Sequence, residues 1–203
     1  MSRFLTIHVV ASSAFALLVA TGCSSSSSAG DTTDVDSGGA DTGAQLGPGA
    51  AYKCTSSGKD AWDTYGATAF VAVNESIFTN VGTVSADSGT TELGDSFTKI
   101  GSGDPPSTSD PLATFKGKLA AFLVYAYGGP TSIMYTDGVT YSGLQDMTVA
   151  HTGLAITMDQ YNAFLTDVII PALTSNGVPM GDVTSCFAPV VSDPAFVATI
   201  VGH

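Results

Sequence analysis

The stretch LQDMTVAHTGLAIT, residues 144–157, holds one imidazole among apolar neighbours. The chain has three histidines; His8 lies in an N-terminal apolar run and His203 is the last residue, so His151 is the imidazole available to a folded interior. Several chemistries could use it. A Ser-His-Asp hydrolase needs an orienting acid and a nucleophile on a sharp turn, but no GxSxG occurs and the flanking residues are Ala150 and Thr152. A metal ion held by protein alone needs further donors. Asp137, Asp146 and Asp159 are near in sequence, yet helical spacing does not put them on the histidine's face. A site asking for a single protein ligand stays open, and haem is one, because the porphyrin supplies the other four donors. It would need a flat apolar slot, with Met147, His151 and Leu154 on one wall and Phe115, Leu119 and Phe122 on the other. Against all of these stands a plain packing role, a lone histidine satisfied within a core.

The elements that must position these residues are legible from periodicity. Phe115, Leu119, Phe122 and Leu123 recur at helical spacing after Asp110-Pro111, which reads as a cap followed by proline at the first helical position, and Gly128-Gly129-Pro130 stops the run. A helix is predicted from near Ser142 through Met147, His151 and Leu154. Another starts at Thr157, which can form a capping box with Gln160, and runs through Tyr161, Phe164, Leu165, Val168 and Leu173 to Asn176-Gly177, loosened at Pro171. A fourth begins at Val178-Pro179, is interrupted at Pro189 and resumes after Asp193-Pro194. Ala61 to Val81 reads as one helix or a pair. No period is sustained between Gly82 and Asp110, which reads as one large loop, functional or mobile. The expected fold class is all-α.

The whole chain sets the context. The first 22 residues combine Arg3, an apolar run and small residues, the pattern of an export signal. Val19-Ala20-Thr21-Gly22-Cys23 resembles a bacterial lipobox, which implies cleavage before Cys23 and its lipidation. The expectation is a lipoprotein of the cell envelope, on the periplasmic face or cell surface, with membrane contact through the N-terminal lipid only. Residues 23–51 are rich in Ser, Gly, Thr, Ala and Asp and read as a flexible tether. Residues 52–203 suit one domain. The net charge of −12 and the lack of any basic stripe argue against a nucleic-acid partner. Cys54 and Cys186 are left as a candidate disulfide in an oxidising compartment, although spacing alone does not show that the thiols meet.

The motifs FKGKLAAFLVYAYGGP, YSGLQDMTVAHTGLAIT and a helix ending in NGVP, in that order, resemble the truncated (two-over-two) globins, closest to their first group. AWDTYGATAFVAVNESIFTNV is similar to the opening helices of that family. The resemblance runs from Trp62 to the C-terminus. It implies a two-over-two helical sandwich with a long loop before the distal helix, haem b as cofactor and a diatomic gas (oxygen, NO or CO) as ligand. His151 matches the proximal histidine that binds iron, and Met147 a haem-contacting position on the same helix. Phe115, Leu119 and Phe122 match the distal helix, and Lys118 a residue that often reaches a haem propionate. Ile156, Tyr161, Phe164 and Val168 match pocket-lining positions. Phe78 stands where many members carry a distal tyrosine, and Leu119 where many carry a glutamine. An apolar distal side would hold oxygen weakly, unless Tyr65 or Tyr135 substitutes. Phe97 is the candidate for a phenylalanine that packs on haem. Nothing encodes a reductase, so gas binding is expected ahead of enzymatic turnover. The alternative is a haem-free lipoprotein of the same fold that acts as an interaction module.

Overall fold

The structure is a computed structural model that describes residues 47–87 and 110–203. The export signal, Cys23, the tether up to residue 46, Phe97 and most of the long loop lie outside the described residues. Residues 47–51, assigned by composition to the tether, belong to the folded body. Pro48–Ala51 forms a 3-10 turn, and Gly47 and Gly49 are buried against the backbone of Tyr125 to Tyr127. Small residues here permit a close approach that a polar tether would not need.

Helix α1, Ala61–Asp87, is two helical pieces joined at Gly66, whose φ of 71° and ψ of 175° suit only glycine. Its Phe70, Val73, Ile77 and Val81, spaced by three and four residues, are buried. Helix α2, Leu112–Ala126, packs against α1. It starts one residue later than the proline rule predicts: Pro111 is extended and no side chain caps the helix. Asp110 therefore does not serve as the cap; its carboxylate binds Lys118 instead.

The fold departs from a purely helical one after α2. Strands β1, Ser132–Met134, and β2, Thr140–Ser142, form an antiparallel hairpin with Ile133 opposite Tyr141. The helix expected from near Ser142 is corrected accordingly. It begins at Met147, where the Asp146 carboxylate accepts from the Val149 amide at 3.1 Å, and this short helix α3, Met147–His151, ends at the histidine itself. The hairpin lies on α2 because Gly117 leaves room: a Cβ there would fall 2.2 Å from the Tyr141 ring.

Helix α4 spans 158–175, opened by the expected reciprocal capping of Thr157 and Gln160. It contains a π-helical stretch, Phe164–Ile169, directly before Pro171. Helix α5 spans 180–191 with the same arrangement, Val183–Phe187 in π geometry before Pro189. The wider turn relieves the clash of the proline ring with the preceding carbonyls, so Pro189 does not interrupt the helix as the sequence suggested. A last turn, α6, Pro194–Val197, is capped by Asp193.

The described residues are mostly helical. The main core draws Phe70, Ile77, Val81, Val124, Val168, Leu173 and Phe187 from α1, α2, α4 and α5, with Tyr127 from the residue that follows α2. Ala120, Ala121, Tyr135 and Tyr141 form a second cluster under the hairpin. Ile156, Tyr161 and Ile200 form a third beside the histidine segment. Cys54 and Cys186 are joined as a disulfide, with Cα atoms 4.8 Å apart.

Candidate functional site

His151 closes α3, half-buried. Its Nδ1 lies 2.7 Å from the Met147 carbonyl oxygen. A carbonyl can only accept, so Nδ1 carries the proton and donates, and the lone pair is left on Nε2. Burial pushes the imidazole below its ordinary pKa; the bond to Met147 opposes this and nearby His203 adds to it. The side chain is thus a neutral, oriented donor, the state in which imidazole binds a metal. No residue of α3 is fully buried.

The residues assigned to the opposite wall assemble between α1 and α2. Phe78 and Phe115 meet edge-to-face with centroids 5.6 Å apart, and the Lys116 ammonium sits 5.0 Å over the Phe78 ring while bound to Glu75 at 2.7 Å. Leu119 and Phe122 are half-buried against the main core. Lys118 is held by Asp110 at 2.6 Å, so reaching a propionate would require giving up that pair. Ile156 and Tyr161 are buried in the third cluster, and the Tyr161 hydroxyl donates to the Val191 carbonyl at 2.6 Å. Phe164 is half-buried against the main core, and Val168 is enclosed within it.

The two tyrosines considered as substitute distal donors are committed elsewhere. The Tyr65 hydroxyl donates to the Asp182 carboxylate at 2.5 Å. The Tyr135 hydroxyl donates to Glu75 and accepts from the buried Asn74 amide. Burial first, and then these carboxylates, push both phenols up to about 12. Neither offers an available proton to a gas, and this expectation is corrected.

The sequence reading missed the residues that link the segment after the histidine to α2. Phe196 of α6 packs on the third cluster and stacks on Phe122, centroids 6.1 Å apart and planes within 10°. Ile200 is buried beside Ile156. The signal was present in the Asp193-Pro194 cap, but a tail of ten residues shows too little period to reveal which face it covers.

Among the described residues, no group of three or more His, Cys, Asp or Glu could hold a metal ion, and no helix is long and apolar enough to cross a membrane. No family model matches the chain, and no curated protein matches it.

Proposed function

We propose that the chain binds haem b through Nε2 of His151 and a diatomic gas on the opposite face, as a lipid-anchored protein of the cell envelope with the two-over-two globin arrangement. The observation that carries this reading is the Nδ1 bond to the Met147 carbonyl, which fixes the tautomer and leaves Nε2 as the ligand atom. The residues fit the group. One neutral imidazole with the half-buried Met147 beside it on α3, and the half-buried Leu119 and Phe122 of α2 with the aromatic pair Phe78–Phe115, are the residue types a flat apolar macrocycle calls for. Bound there, haem would supply four equatorial nitrogens and an iron with one face for the gas. The chain's own part is to hold Nε2, exclude water with Leu119 and the phenylalanines, and present no hydrogen-bond donor from Phe78. That last property favours CO and NO over oxygen.

The test is an absorption spectrum of the chain from Ser24 onward, loaded with haem, in ferric, reduced and CO-bound forms. A Soret band that moves on reduction and again with CO, and is lost in His151→Ala, is the expected result. A folded protein with no stoichiometric Soret band would overturn it.

The second reading, a haem-free interaction module, is favoured by the exposure of Met134, Val149 and Leu144, at 72%, 70% and 52% of their surfaces. It predicts that His151→Ala leaves every spectrum unchanged.

A further inference from the structure

Helix α3 cannot hold His151 in place by itself. It is five residues long with one capping carboxylate and no fully buried side chain, and a helix of that length is unstable alone. The chain leaving it is also strained, since Ala155 sits at a φ of 50° without being glycine. Something outside the helix must fix this segment. The C-terminus does so: the Gly202 amide donates to the Ile156 carbonyl at 2.9 Å, and the Ala155 amide donates to the His203 main-chain oxygen at 2.5 Å. Between these bonds and α6, Ile200 is buried against Ile156 and Tyr161. Asp193 anchors the segment's start by accepting from the Ala195 and Phe196 amides. Phe196 then lies flat against Phe122, a residue of the wall opposite the histidine.

We propose that residues 194–203 form a positioning strap that holds the His151 segment against the distal helix and closes that end of the slot, with Phe196 as a further wall residue. The proposal rests on the haem reading for its consequence, though not for its contacts. Three features support it together: both backbone bonds fall within five residues of the histidine, the segment they restrain is strained and short, and the strap touches both walls.

The experiment compares the chain from Ser24 onward with a variant ending at Ser192 and with Phe196→Ala. In the haem-free proteins, hydrogen exchange of amides 149–156 should quicken at least ten-fold in the truncated variant while the protected amides of α1 are unchanged. In the haem-loaded proteins, transfer of haem to an excess of a scavenging protein should quicken at least ten-fold on truncation and measurably in Phe196→Ala. The iron–histidine stretching band of the reduced truncated protein should shift, which a general loss of stability would not produce. If truncation prevents folding, Phe196→Ala decides the question alone. Exchange and haem loss within two-fold of the parent chain in the folded variants would overturn the strap. A parent chain that takes up no haem while its exchange responds as expected would overturn the haem reading, and with it the strap's role toward haem, but not the tie itself.

Discussion

Asp182 is the most heavily engaged side chain in the described structure, and it lies well away from the histidine in sequence. It is fully buried on α5 and accepts from the Thr55 hydroxyl at 2.7 Å, the Ser56 amide at 2.9 Å, the Tyr65 hydroxyl and the Ser56 hydroxyl. Burial alone would raise its pKa, but these hydrogen bonds overcome it and hold the carboxyl well below the usual range. A depressed folded pKa means that the unfolded chain binds the proton more readily. The stabilisation is therefore complete above pH ~4, where the unfolded group is ionised, and is lost as the pH falls below it. Asp182→Ala should cost about 3 kcal/mol in urea unfolding at pH 7, and it should flatten the loss of stability below pH 4 that the parent chain shows. At the proposed haem site, Phe78→Tyr should slow oxygen release from the haem-loaded protein by ten-fold or more in stopped flow, because it supplies the donor that Tyr65 and Tyr135 cannot. An unchanged rate would place Phe78 outside the gas site. The proposed haem site was read from His151, whose isolation made it conspicuous in the sequence. The sequence did not show Asp182, since a buried carboxylate gathered by hydroxyls far apart in the chain leaves no local pattern.

Elements were legible where one helix face carries the information. Thr157 and Gln160 announce α4, and the spacing of Phe70, Val73, Ile77 and Val81 announces α1. The hairpin was not, although Asp137-Gly138 is a turn signal, because strands of three residues contribute too few alternations to outweigh the helical spacing of Met147, His151 and Leu154 that follows. Proline likewise misled at Pro189: a rule written for α geometry does not anticipate a π-helical turn that makes space for the ring. The hairpin's seat on α2 gives a sharp test. Replacing a helix-interior glycine by alanine normally gains about 1 kcal/mol, but a Cβ at Gly117 meets three atoms of the Tyr141 ring within 2.5 Å. Gly117→Ala should therefore destabilise, by about 1–2 kcal/mol net. In a Tyr141→Ala background the same change should become neutral or favourable, a coupling readable as a double-mutant cycle.

At the scale of the whole molecule, the fold is closed by ties between its beginning and its end. The loop after the Pro48–Ala51 turn is held to α5 in two ways within three residues, by the Cys54–Cys186 disulfide and by hydrogen bonds, those of Thr55 and Ser56 to Asp182 and that of the Thr55 amide to the Ser185 hydroxyl. The two ties differ in what they act on. The hydrogen bonds stabilise the folded state, whereas the disulfide closes a loop of 132 residues and so restricts the unfolded chain, by about 5 kcal/mol on the chain-entropy estimate. The sequence offered the two cysteines as a pair without showing that they meet; what brings them together is the packing of α1 and α5 through Tyr65 and Phe187, whose rings lie 5.8 Å apart. The chain from Ser24 onward should contain no free thiol before reduction. Cys54→Ser with Cys186→Ser should remain folded, because both sulfurs sit in a core already built from α1, α2, α4 and α5, yet unfold at a midpoint lower by roughly 10–15 °C, at about 3 °C per kcal/mol for a domain of this size. Adding Asp182→Ala to that variant should cost more than Asp182→Ala costs in the oxidised chain, since with the covalent tie gone the carboxylate carries most of the bonds that keep residues 54–58 on α5, beside the single bond from the Thr55 amide to the Ser185 hydroxyl. Equal costs in the two backgrounds would show that the first loop stays in place without either tie.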